Sequence, residues 1–355
     1  MMTILNRYIA KTVILSTLLV VIVVMALTYF IGLLGELRDI GSGDYGLIQA
    51  AMYALLELPH NLYQFYPMLV LLGGLMGLGA LASHQELVVI RVSGVSIAKI
   101  LRYVFSAALV LAAVGVLVGE LVAPRSHYLA EKHKSIAESG GQAVATQAGL
   151  WVHEGDNFLH IDRVMARKQL EGVTRYEFDA HHQLLASYFV KKMDYDQGQW
   201  QLHDVVKTIF TTDHTRHEKL ASSTWDLALN PALLNVGLLE PDEMPLTALS
   251  GYTHHLVANG LQAAEFQFNF WKRVFQPLTI LVMLFLAVPF VFAAPRSASM
   301  GLRMLLGAVV GFVFYILNAL LGQLSIVFQF SPILAALFPI LLFAGVGYLL
   351  LLRQK

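Results

Sequence analysis

Five stretches of the chain carry no aspartate, glutamate, lysine or arginine, and they limit what it can become. Residues 12–35, 58–85, 103–119 and 274–295 each suit one helix crossing a hydrocarbon core about 30 Å thick. The fifth, residues 304–352, holds 49 residues, about twice what one helix needs. Its cluster Gln323, Ser325, Gln329, Ser331 and Pro332 divides it in two, giving six spans. Only 14% of the 355 residues are charged, against about a quarter in a soluble protein. The first run is too long for a signal-peptide core and lacks a small-residue cleavage pattern, so it is expected to stay as an anchor.

Short loops on one side collect Arg7, Lys11, Arg91, Lys99, Arg102, Arg296, Arg303, Arg353 and Lys355, whereas the opposite short loops offer only Arg38. The excess of basic residues predicts cytoplasmic termini. Residues 124–270 then lie outside, which is the periplasm if the cell is Gram-negative. They hold 12 basic and 18 acidic residues and 11 of the 13 histidines, the composition of a polar domain inserted between two groups of three helices. A formal charge of zero excludes a field that recruits nucleic acid, and the absence of cysteine excludes disulfides and thiolate sites.

Within that domain, apolar and polar residues alternate along 158–164, 184–190 and 205–210, the period of half-buried strands. Turn residues such as Glu154-Gly155-Asp156-Asn157 and Asp196-Gln197-Gly198-Gln199 separate the runs. Six to eight antiparallel strands in a sandwich or jelly roll are expected. Residues 247–258 read as a helix closed by Asn259-Gly260, and a second helix from about Leu261 leads into the fourth span.

The histidines form adjacent pairs, His181-His182 and His254-His255, whose side chains diverge. No H-x-x-x-H or H-x-x-E-H spacing occurs, so surface histidine is expected and no metal site or cofactor is assigned. Asp194 and Asp196 lack the remaining ligands of a calcium loop. No nucleophile elbow and no Walker A sequence occurs, so the chain does not hydrolyse ATP by itself. Gly73-Gly74-Leu75-Met76-Gly77 lies inside the second span, where Gly73 and Gly77 suit close helix packing rather than a phosphate loop.

Between spans two and three, residues 83–94 carry an amphipathic pattern. Ser83 is expected to cap a helix with Glu86 in its first turn, an apolar face of Leu87, Val89 and Ile90, and Gly94 at its end. Such a helix, lying along the membrane with one acidic group, is a docking element for a cytosolic partner.

These residues also carry a resemblance. Gln85-Glu86-Leu87-Val88-Val89 followed by Ser93-Gly94, Arg7-Tyr8-Ile9, Val122-Ala123-Pro124 and Gln147-Ala148-Gly149-Leu150-Trp151 resemble strings of the LptF/LptG permease family of lipopolysaccharide export. Trp271-Lys272-Arg273-Val274-Phe275-Gln276-Pro277-Leu278 and Met300-Gly301 with Gly311-Phe312-Val313-Phe314-Tyr315 are similar to its LptG branch. The resemblance covers the whole chain. It implies a polytopic helical membrane protein of six spans with an inserted periplasmic antiparallel β-domain, jelly-roll-like. Residues 1–123 would be one membrane half with the coupling helix at about 83–94, and 124–246 the β-domain. Residues 247–270 would be a helical connector and 271–355 the second half.

The implied activity is the permease half of an ABC exporter, not an enzyme. Its implied partners are an LptF-like permease, an LptB-like ATPase dimer, an LptC-like single-span protein and an LptA-like bridge. Glu86, Leu87, Ile90 and Arg91 would meet the ATPase. Ile22, Phe30, Phe312 and Tyr315 would line the lateral gate, and Lys132, Lys134 and Arg125 would meet the anionic head group. Lys272 and Arg273 lie at similar depth and read instead as snorkelling beside Trp271. Ile31-Gly32-Leu33 stands where relatives carry a lysine, so head-group capture is not expected from that helix. Glu120 is placed near the outer end of the third span.

Elementary energetics agree. Exposing about six acyl chains of about a dozen carbons costs on the order of 60 kcal/mol at about 0.8 kcal/mol per methylene, so the route has to stay covered. A polytopic enzyme modifying lipid head groups would need a paired acid and base or a metal at the outer rim, and a mechanotransmission permease for lipoproteins would have another span layout.

Overall fold

A computed structural model describes residues 4–138, 144–154, 157–166, 169–179, 183–196, 199–210, 215–225, 241–258, 262–293 and 300–353. It divides into two compact units: Met1–Gly35, Ala54–His127 and Ala264–Lys355 in the first, Glu36–Tyr53 and Tyr128–Ala263 in the second. The chain enters through α1 (Ile4–Glu36), α2 (Leu47–Ser83), the short α3 (Glu86–Val92) and α4 (Ile97–Leu117). A π turn, Val118–Val122, joins α4 to α5 (Ala123–Glu138). After the strands come α6 (Leu246–Ala258), α7 (Ala264–Ala293), α8 (Met300–Phe328) and α9 (Pro332–Leu352). Six helical stretches among the described residues are long and apolar enough to cross a membrane. They are α1, α2, α4 continued through α5, α7, α8 and α9.

The long charge-free run breaks where expected. Gln329 takes φ 52, and Pro332 opens α9 at a position where its missing N–H costs nothing. In the first unit the core is built mainly from α2, α4 and α7. Leu69, Val70 and Leu71 of α2, Ile100 and Ala107 of α4, and Met283, Leu284 and Ala287 of α7 are at most 1% exposed. Gly73 explains how closely α1 approaches: a Cβ there would run into Thr17, and one on Gly77 would stand 3.1 Å from the Val13 Cα.

The second unit holds α6 and six strands: β1 (Val144–Glu154), β2 (Asn157–Ala166), β3 (Gln169–Phe178), β4 (Leu184–Asp196), β5 (Gln199–Phe210) and β6 (Thr215–Trp225). All pairs are antiparallel, in the order β1-β2-β3-β4-β5-β6. The antiparallel β-domain is there, yet the described strands form one meander rather than the crossed order of a jelly roll. Connections of only two to five residues leave each strand beside the one it follows.

Alternation along these strands is not continuous. Leu170 and Val173, Val190 and Met193, and Leu202 and Val205 are all buried, so the core face changes parity in β3, β4 and β5. The register aligns the change on Gly172 at φ 65 and Asp204 at φ 55, either side of Lys191. Left-handed backbone at those two points turns each strand over, and residues from both sides of the crease join one core around Trp200. The helix expected at 247–258 is α6, with Leu249 and Leu256 buried. His181-His182 and Asn259-Gly260 lie outside the described residues.

Candidate functional site

The docking element differs in detail from its expectation. Ser83 caps nothing: it is the last residue of α2, and its hydroxyl donates back to the Gly79 carbonyl at 2.9 Å. The chain turns instead through Gln85, left-handed at φ 60, whose carbonyl accepts from the Val88 and Val89 N–H groups. Glu86 opens α3, where an anion favours the dipole, and Gly94 at φ 90 closes it. Leu87 is buried and Ile90 packs on the core, as the amphipathic reading requires. Val89, expected on that face, is 63% exposed and forms an outward strip with Val88 and Val92. A helix of two turns buries only one side, and Leu87 and Ile90 already occupy it. The Arg91 guanidinium lies 5.9 Å above the Phe292 ring, and Glu86 Oε2 accepts from the Tyr8 hydroxyl at 2.7 Å.

The expected gate residues occupy the least buried spans. The most apolar windows of α1 and α8 are each 17% buried, against 72% in α2 and 61% in α7. Ile22, Phe30, Phe312 and Tyr315 are all exposed, and the Tyr315 hydroxyl also reaches α2, accepting from Gln64 Nε2 at 3.2 Å. Small residues set that arrangement: a Cβ on Gly307 or Gly311 of α8 would meet Leu75 or Met68 of α2.

Of the expected head-group cations, Arg125 and Lys132 are exposed. Lys134 is held inside the second unit, donating to Glu36 at 2.7 Å and Asp39 at 2.8 Å, with its ammonium 4.8 Å from the centre of the Tyr53 ring. Tyr45 donates to the same Glu36 carboxylate, and burial followed by that contact holds its phenol well above the ordinary value.

Arg273 does not snorkel. Its side chain is 5% exposed, donates to the Gly119 carbonyl at 2.8 Å and Glu120 Oε1 at 3.2 Å, and stacks 4.9 Å above the Tyr63 ring. Glu120, placed near the outer end of the third span, pairs with this buried guanidinium. The π turn carries both acceptors, and a Cβ on Gly119 would overlap Tyr63.

One cluster went unread in the sequence. Glu57 and His60 of α2 and the buried His127 of α5 bring a ligand atom each within 4.8 Å of the others. His127 Nδ1 lies 2.9 and 3.1 Å from the Glu57 carboxylate oxygens, and the two imidazole centres are 5.1 Å apart. The Glu57-Leu58-Pro59-His60 spacing was available as a signal; its third member, in another span, was not.

A family model described as the lipopolysaccharide export system permease LptF/LptG matches residues 7–353. The chain belongs to that family. The lipopolysaccharide export system permease protein LptG of Escherichia coli (strain K12) is 34% identical over 355 residues, covering 99% of each chain. That of Haemophilus influenzae is 32% identical over 357 residues, covering both chains completely. Within the LptF/LptG family, then, this member presents three separate features in its first unit: the short helix α3, the sparsely buried spans α1 and α8, and a set of buried ionisable groups.

Proposed function

We propose that this chain is the LptG-like permease subunit of an ABC exporter that extracts lipopolysaccharide from the inner membrane and passes it to a periplasmic β-bridge. The observation that carries the reading is a family match along essentially the whole chain. The unburied faces of α1 and α8 support it, because a shared cavity needs two spans whose bulky side chains have no partner within their own chain. An LptF-like subunit completes that cavity, with Ile22, Phe30, Phe312 and Tyr315 on its wall. Arg125 and Lys132 face the anionic head group; Lys134 shapes the surface by holding Glu36 and Asp39 in place.

Both termini and α3 lie on the cytoplasmic side in this reading, because the short loops there collect the basic residues. An LptB-like ATPase dimer docks on Val88, Val89 and Val92 with Glu86 at the rim, while Leu87, Ile90 and Arg91 fasten α3 to the permease. The β-domain joins LptC-like and LptA-like partners. Photo-crosslinking from Phe312 in the assembled exporter tests the conduit: ATP-dependent lipopolysaccharide adducts are expected. Their absence in an ATP-hydrolysing complex overturns the assignment of the wall. Among strand positions the probe belongs at Phe189, which is exposed.

A further inference from the structure

We infer that Glu57, His60 and His127 form a binding site for one zinc-type divalent ion, separate from the export reading and independent of it. Glu57 and His60 stand at the edge of the second apolar run and His127 just beyond the third. Here the three converge from two helices. Glu57 and His60 stand three residues apart on α2, the spacing that sets a carboxylate and an imidazole on one helix face in metal-carboxylate bundles. His127, at 6% exposure, supplies the third donor from α5.

The distances fit an ion. Ligands at about 2.1 Å from a tetrahedral zinc lie about 3.4 Å from one another. His127 Nδ1 and Glu57 Oε2 are 2.9 Å apart, and no pair in the cluster exceeds 4.8 Å. The closure required is therefore about 1.4 Å at most, within reach of the half-buried Glu57 and His60 side chains. Two imidazoles and one carboxylate select zinc, or another borderline transition ion, over magnesium and calcium, which prefer all-oxygen shells. The three donors leave a fourth position for water, and the ion ties α2 to α5.

A plain His127–Glu57 ion pair is the competing arrangement, and it needs no third group. The full-length chain, purified in its exporter complex, is stripped with a chelator, equilibrated with zinc chloride, desalted and analysed for metal by mass spectrometry. One zinc per chain is expected, and cobalt(II) substitution should give the visible bands of a four-coordinate N/O site. Glu57→Gln and His60→Ala should each reduce retained zinc to the level of a zinc-free control. His60 is only half-buried, so its variant keeps the test valid if His127→Gln fails to assemble. Zinc at background in the unaltered chain, or retention unchanged in either variant, overturns the site; loss of export does not bear on this readout.

Discussion

The spans α7 and α8 are equally apolar, at a mean hydropathy of 2.3, yet α7, like α2, is mostly buried and α8, like α1, is mostly bare. The contrast shows why hydropathy alone cannot separate a frame from a wall: lipid tails are as apolar as leucine, so an exposed span costs nothing. What separates them is where the glycines fall. Gly73 and Gly77 let α2 receive α1, and Gly307 and Gly311 let α8 lie against α2, leaving Val309, Phe312 and Ile316 outward. The frame gives the wall a fixed position without covering it.

The strongest way to break this distinction is Gly73→Leu. Its side chain would meet the backbone of α1, which cannot step aside, so a loss of about 3 kcal/mol or more is expected, read as a lowered Tm and loss of monodisperse protein. Val23→Leu on the exposed side of α1 should leave the same measurement unmoved, and equal effects at both positions would erase the distinction. Next comes the polar part of the frame. Arg273→Met removes the guanidinium that donates to the Glu120 carboxylate and should cost on the order of 3 kcal/mol. Adding Glu120→Gln should restore part of it, because a neutral pair carries no stranded charge; additive losses in the double variant would show that the two groups do not interact.

On the wall the expected effect moves from stability to transport. Phe312 is 59% exposed, so Phe312→Ala should change stability by no more than about 0.5 kcal/mol. Lipopolysaccharide release to a periplasmic acceptor should fall several-fold. A variant that destabilises the protein and exports normally would move Phe312 from the wall to the frame.

The six spans were legible because absence of charge over some twenty residues has few other physical outcomes. The strands were legible from period-2 alternation, but their order was not, since pairing depends on turn geometry that composition only suggests. The crease was hidden for a related reason: Gly172 signals a break in β3, whereas Asp204 at positive φ carries no comparable mark. Contacts between distant spans were illegible altogether. Arg273 read as an interfacial cation because nothing local announced Glu120 as its partner, and the Glu57–His60 spacing went unread because His127 stands three helices later. Ser83 misled by type, a good cap residue that in fact finishes the preceding helix.

The smallest expected effect tests the docking element. Glu86 carries one visible contact, from Tyr8, so its carboxylate serves either to hold α1 near α3 or to meet a partner outside the chain. Tyr8→Phe removes the first role and leaves the second. One exposed hydrogen bond is worth about 0.5 kcal/mol, so the variant should keep nearly all transport-coupled ATP hydrolysis in the assembled complex. Glu86→Ala should lose most of it while the ATPase remains bound through Val88, Val89 and Val92. If Tyr8→Phe fails as badly as Glu86→Ala, the carboxylate acts inside the permease, and the outward valine strip alone makes the dock.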